Sequence, residues 1–217
     1  MASPNDIVVH QALFEEIANF TRNGGPWIFD LDGTLTRPQH DFAALRLRLG
    51  LSPDVCLVDA MQTGPEERAR WIAQEIATWE WELSLKASVA PGVRPLLQWL
   101  RDQDCSLGIV TRNLRPVALQ TLETIGLTDL IPASWVLGRE EAQAKPSPDG
   151  IRWLLRQWGA SQAVMVGDYI HDLEAGRNAG VYTIHVGPAP RPEWAAYTDL
   201  YIREFSELLS ALSKIAC

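Results

Sequence analysis

Asp30-Leu31-Asp32-Gly33-Thr34-Leu35-Thr36 follows directly on the apolar stretch Trp27-Ile28-Phe29, and so sets two carboxylates on a tight turn where a buried strand ends. In an α/β sheet that edge is where ligands bind. Two acids at this spacing can divide the work: one attacks or holds a metal, the other moves a proton. The same residues also suit a plain strand followed by an Asp-Gly turn. Three further segments decide between these readings. Ser106 to Val110 is a short β-rich run ending in Thr111-Arg112-Asn113. Lys145-Pro146-Ser147-Pro148-Asp149 opens a helical stretch from Ile151 to Trp158, and its lysine is one of only three in the chain, with Lys86 and Lys214. Val164-Met165-Val166-Gly167-Asp168 is a second apolar strand entering a Gly-Asp turn, with Asp172 four residues on at a helix start. An acid there also favours the helix dipole.

Taken in this order, the four segments resemble the motif set of the haloacid dehalogenase-like hydrolase superfamily, over about Trp27 to Val186. The stretch Gly167-Asp168 to Gly180, with Asp172, Ala175-Gly176 and Ala179-Gly180, is similar to the phosphoglycolate phosphatase-like branch. Tyr169 stands where that family usually has Ser or Thr, which leaves the metal ligands intact but puts a minor supporting hydrogen bond in question. The resemblance implies a phosphomonoesterase with Asp30 as nucleophile, forming an aspartyl-phosphate, and Asp32 as general acid and base. It implies that Thr111 and Lys145 bind and neutralise the phosphoryl group, with backbone N–H groups around Gly33 and Arg112 completing the cradle. It implies Mg²⁺ held by Asp30, the backbone carbonyl of Asp32, and Asp168, with Asp172 in support; an all-oxygen set suits this ion. Asp32 favours phosphate over carbon–halogen chemistry, because halide leaves without a proton. A β-phosphoglucomutase-like mutase shares all four motifs, and a non-catalytic protein on the same fold is the remaining alternative. Phosphoglycolate is the best single substrate, with Arg112 or Arg115 as candidate carboxylate readers.

The chain has 217 residues, 47% of them hydrophobic, enough for one good core and a small accessory unit. A formal net charge of -8 speaks against nucleic acid as partner. A phosphorylated metabolite remains compatible, since a local metal overrides the global sign. Cys56, Cys105 and Cys217 are scattered and odd in number, pointing to a reducing cytoplasm. Met1 to His10 lacks the pattern of a secretory signal and no run approaches a membrane span, so a soluble monomer or homodimer is expected.

Strand and helix signals alternate from Trp27, which predicts a Rossmann-like, doubly wound parallel α/β sheet. The strands are expected at Trp27–Asp30, Ser106–Thr111, Ser134–Leu137, Ala163–Gly167, Val181–Val186 and Leu200–Ile202, with a last helix from Ser206 to Ile215. Gly126, Gly159 and Gly180 are expected helix stops. Residues 38–89 read as an all-helical cap inserted after the first strand, leaving 1–37 and 90–217 as the core. Within the cap, Asp41 caps a helix to Leu49, Ser52-Pro53 starts a short second one, and Thr63-Gly64-Pro65-Glu66 has capping-box spacing ahead of a third to Leu85. Ile72, Ile76, Trp79 and Leu83 share a face of that helix. Of nine tryptophans, most are expected in the core, with Trp71, Trp79 and Trp81 candidates to face a substrate. His40 lies near the cap hinge, within reach of substrate; His171 reads as a surface residue at a helix start; His10 and His185 have no partner spacing. Before the first strand, Ser3 to Phe20 has an amphipathic pattern through Ile7, Leu13, Phe14, Ile17 and Phe20 that suits packing on the core or a dimer contact.

Overall fold

The computed structural model describes residues 4–61 and 63–214. Ser3, Ile215 and Cys217 lie outside them, as do the side chains of Ile7 and His10. The chain runs α1 (Pro4–Arg22), β1 (Trp27–Phe29), α2 (Phe42–Arg48), α3 (Leu57–Ala60), α4 (Glu66–Ser84), α5 (Val93–Asp102), β2 (Leu107–Val110) and α6 (Arg115–Thr124). It continues through β3 (Val136–Leu137), α7 (Asp149–Trp158), β4 (Val164–Gly167), α8 (Ile170–Ala179), β5 (Tyr182–Val186), β6 (Leu200–Ile202) and α9 (Phe205–Lys214).

All six strands pair in parallel in the order β3-β2-β1-β4-β5-β6. This is the doubly wound arrangement that the alternating pattern predicts. Strand residues alternate between the two faces, as the pleat requires. Trp27, Phe29, Val164 and Val166 join one apolar cluster with Ile17 of α1, Leu97 of α5, Leu122 of α6 and Leu208 of α9. Ile28 and Met165 join the other, with Ile151 and Leu154 of α7 and Ala175 of α8. Burial on both faces explains why these strands read as continuous apolar runs. Helix α1 packs on the first cluster through Ile17, with Leu13, Phe14 and Phe20 beside it. Gly126, Gly159 and Gly180 end helices at φ of 69°, 63° and 78°, where an L side chain would be strained.

Between β1 and α5 the chain leaves the sheet and returns through a paired stem. Thr36 and Val89 form an antiparallel bridge, the Arg37 N–H donates to Ser88 O (2.9 Å), and the Ala90 N–H donates to Leu35 O (2.9 Å). The helices α2, α3 and α4 lie beyond this stem. They have their own apolar cluster, in which Leu45, Leu49, Ala60, Ile72 and Ile76 are buried and Trp79 is partly so. Burying a side chain such as Ile72 or Ile76 stabilises such a unit by roughly 1.5–3 kcal/mol. Asp41 caps α2, its carboxylate accepting from the Ala44 N–H at 2.9 Å.

Two local expectations fail. Ser52-Pro53 starts no helix; the short second helix begins at Leu57. The capping box at Thr63 does not form either, because Pro65 itself is the N-cap of α4 and makes Glu66 the first helical residue. The Thr63 hydroxyl instead donates to Asp59 O at 2.8 Å, closing the end of α3.

Candidate active site

Three adjacent strands each deliver one polar residue immediately past their last position: Asp30 after β1, Thr111 after β2 and Asp168 after β4. The strand order reverses around β1, so these carboxyl ends flank the switch point where parallel sheets bind ligands. The Asp30 N–H donates to Val166 O (2.9 Å) and the Thr111 N–H to Leu137 O (3.0 Å), so both backbones are held by the sheet ladder. After Asp30 the chain makes a helix-like turn, with the Leu35 and Thr36 N–H groups donating to Leu31 O at 2.8 and 3.0 Å. Gly33 is required within it. Its φ is 84°, and a Cβ there would sit 2.4 Å from Asp168 Oδ2.

Lys145 is buried, its side chain 1% exposed, and its Nζ bridges Asp30 Oδ1 at 2.5 Å and Asp172 Oδ1 at 2.7 Å. Asp172 also accepts the Tyr169 N–H (3.0 Å), and the Thr34 hydroxyl donates to Asp168 Oδ1 (2.9 Å). Tyr169 itself is 53% exposed. Asp32 points elsewhere: Asn113 Nδ2 donates to its Oδ2 at 2.6 Å, and His40 Nε2 lies 3.7 Å from its Oδ1. The Thr111 hydroxyl accepts the Asn113 N–H (3.1 Å), which leaves its own proton to donate. The Gly33 N–H does not face an open cradle, since it donates to the Thr36 hydroxyl at 3.2 Å.

Carboxylates outnumber lysine here, and their proton affinities record it. Burial raises the Asp30 carboxyl to about 6, with Lys145 pulling it back and Asp172 pushing it further. Asp32 is pushed up to about 8 by burial and then by Asp30 and Glu80. Asp168 rises to about 7 through burial and the charges of Asp30 and Asp172. Burial disfavours the Lys145 charge, but Asp172 and Asp30 overcome this and raise its pKa. Burial holds His40 below its ordinary value, which favours the neutral imidazole.

One carboxylate oxygen from each of Asp30, Asp168 and Asp172 lies within 4.8 Å of the others. Hard oxygen donors with excess negative charge fit a divalent cation such as Mg²⁺, which prefers a few carboxylates and water to nitrogen or sulfur ligands. The Asp32 side chain is not in this group.

A cleft of about 540 Å³ lies over these groups, between the sheet edge and the helices beyond the stem. Arg112 lines it, whereas Arg115 does not: the Arg115 guanidinium donates to Val136 O (3.1 Å) and Ala133 O (2.8 Å). Trp79 and His40 also line it, and their rings meet edge-on at 5.2 Å. His171 reaches the rim, where Nδ1 lies 3.2 Å from Glu174 Oε2. Trp71 and Trp81 are 38% and 41% exposed and are not among the cleft-lining residues.

Sequence reasoning missed the contact that ties the cap to the core. Glu80 of α4 receives Arg139 Nη1 at 2.8 and 3.0 Å, and the same nitrogen donates to Arg112 O at 3.0 Å. Both side chains are nearly buried, at 9% and 14% exposure, and both line the cleft. Asn113, the partner of Asp32, was missed as well. A buried glutamate amid the apolar face of α4 was the one available signal for Glu80.

The family profile of the haloacid dehalogenase-like hydrolases matches residues 43–186, and the chain belongs to this family. An uncharacterized hydrolase of Saccharomyces cerevisiae is 25% identical over 87% of this chain and 90% of its own length. Pyrophosphatase PpaX of Listeria monocytogenes is 34% identical over 55% of this chain and 57% of its own. Among solved structures, a hydrolase from Pseudomonas syringae superposes with a TM-score of 0.71 at 20% identity, over 88% of this chain and 99% of that one.

Proposed function

We propose that the chain is a Mg²⁺-dependent phosphomonoesterase acting on a small phosphorylated metabolite through an aspartyl-phosphate. The observation that carries this reading is the separation of two carboxylates from one turn: Asp30 is held by the buried Lys145, while Asp32 is held apart by Asn113.

The Asp30 carboxylate attacks phosphorus as the bond to the leaving oxygen breaks. That oxygen takes its electron pair away and receives the Asp32 proton. Burial raises the Asp32 carboxyl in the metal-free protein, which favours the protonated form that a general acid needs. Asp32, now a carboxylate, takes a proton from water. The resulting hydroxide oxygen bonds to phosphorus, the bond to Asp30 breaks, and both carboxyl groups return to their starting states. The Thr111 hydroxyl donates to a phosphoryl oxygen and Lys145 offsets its charge. Asp30, Asp168 and Asp172, with the Asp32 carbonyl, would hold Mg²⁺, which supplies the positive charge that lets one anion approach another.

Motif resemblance nominates phosphoglycolate as the first metabolite to try. It also leaves a phosphosugar mutase as the second reading, in which the cap keeps water from the aspartyl-phosphate. No described helix is long and apolar enough to cross a membrane, and the acidic composition offers nothing to a nucleic-acid backbone. We place the activity in the cytoplasm, in a monomer or homodimer.

Hydrolysis of a generic aryl phosphate with and without Mg²⁺, by the wild type and Asp30→Asn, tests the proposal. Metal-dependent turnover that disappears in the variant supports it. Interconversion of phosphosugars without net phosphate release would favour the mutase. A folded wild type that neither turns over nor binds Mg²⁺ would sink both.

A further inference from the structure

Aromatic and aliphatic side chains of the cap form one patch of the cleft lining. Phe42 is 48% exposed yet stacks on His40 (5.4 Å between centroids) and meets Trp79 edge-on (5.7 Å). Leu57 and Met61 extend this wall, and Ile76 floors it. Leu57, Met61, Ile76 and Trp79 pack on the cap's own apolar cluster and also line the cleft.

Of the arginine and lysine side chains that line the cleft, Arg139 and Lys145 are paired with acids, whereas Arg46 bonds only backbone carbonyls, which leave its charge uncompensated. Arg46 donates to Val55 O (3.0 Å) and Phe42 O (3.2 Å). Arg139 is taken by Glu80, and Lys145 by Asp30 and Asp172. Arg112 has no acid partner, but it follows Thr111 directly, on the side where the phosphoryl group binds. The remaining charge on the cap side is Asp54, another acid. The ring faces of Phe42 and Trp79 themselves offer an anionic group no hydrogen-bond donor.

Resting on the phosphatase reading above, we propose that the alcohol moiety of the natural substrate presents a flat apolar face to Phe42 and Trp79. Ring edges and faces at these separations take an aromatic guest by stacking or edge contact. Glycolate has no such face to offer.

The test compares 2-phenylethyl phosphate with ethyl phosphate, whose alcohols leave with similar basicity, and with phosphoglycolate. The expected kcat/KM for the phenylethyl ester is about tenfold or more above both others, from burial of one ring. Trp79→Ala and Phe42→Ala should each shrink the phenylethyl-to-ethyl ratio. Using a ratio within one preparation separates lost recognition from lost folding. Equal or better turnover of ethyl phosphate or phosphoglycolate overturns the proposal. Binding of the same esters to Asp30→Asn, followed by calorimetry, gives an arm that does not need turnover. Tighter binding of the phenylethyl ester without wild-type hydrolysis would uphold this proposal and defeat the phosphatase reading. Equal binding of all three esters would overturn this proposal whatever the turnover.

Discussion

Replacing Glu80 with glutamine should unlock the cap from the core. Arg139 Nη1 lies 2.8 and 3.0 Å from the two Glu80 oxygens, with the side chains only 9% and 14% exposed. At about 3 Å and an effective dielectric near 20, the Coulomb attraction is roughly 5–6 kcal/mol. Part of this offsets desolvation, which is what raises the Glu80 pKa despite the opposing pull of Arg139. The pair as a whole therefore contributes little against an apolar replacement, but removing one partner strands the other. For a pair this buried the loss should be about 2–4 kcal/mol, slightly under the range for full burial. That is a large part of a total stability of order 5–15 kcal/mol. Urea unfolding, followed by both far-ultraviolet circular dichroism and tryptophan fluorescence, measures it and shows whether the cap melts separately. The double variant Glu80→Gln with Arg139→Gln should lose less than the sum of the single changes, since neither then leaves an unpaired charge. A Glu80→Gln protein within about 0.5 kcal/mol of wild type would refute the reasoning, because an exposed pair behaves that way.

Three further outcomes follow from the proton affinities and the division of labour. Asp32→Asn should lower kcat/KM, which reports the phosphorylation step, for alkyl phosphates by roughly 10²–10⁴, and much less for nitrophenyl phosphate, whose leaving group needs no proton; equal losses in kcat/KM on both would argue against the acid role. Asp30, Asp32 and Asp168 have folded pKa values of about 6, 8 and 7 against 3.8 for the free carboxyl, so the folded metal-free protein holds protons that the unfolded chain has released. Their contribution to stability is therefore full below about pH 4 and declines as pH rises towards 8. Mg²⁺ needs the ionised forms of Asp30 and Asp168, so its affinity should rise over about pH 5 to 8, with protons released on binding near neutrality. Calorimetry in two buffers of different ionisation enthalpy detects that release, and identical heats would count against it.

Local chemistry was legible from the sequence where one short stretch carried it. The β1 and β4 turns combine an apolar strand, a glycine that the crowding demands, and an acid at the first free position, so Asp30 and Asp168 could be placed without a structure. The parallel sheet was legible for the same reason, since strands buried on both faces read as apolar runs. What escaped reading were partnerships across the fold. Asn113 meets Asp32 from 81 positions away, and Arg139 meets Glu80 across 59. No spacing rule reaches that far. Thr63 failed differently: the spacing was right, but Pro65 took the N-cap and shifted the helix start. The aromatic wall was half visible, as Trp79 fell on the buried face of a periodic helix. Its meeting with His40 and Phe42 depended on how the stem folds the cap back over the sheet.

The central claim is that Asp30 becomes phosphorylated, and trapping that adduct tests it most directly. The enzyme is mixed with substrate and Mg²⁺, quenched in acid within the first turnover, and reduced with borohydride, which converts an acyl phosphate to an alcohol. Peptide mass spectrometry should then find homoserine at position 30, absent when substrate is omitted and absent in Asp30→Asn. Steady turnover with an unmodified Asp30, or with the reduced residue elsewhere in the chain, would contradict the account.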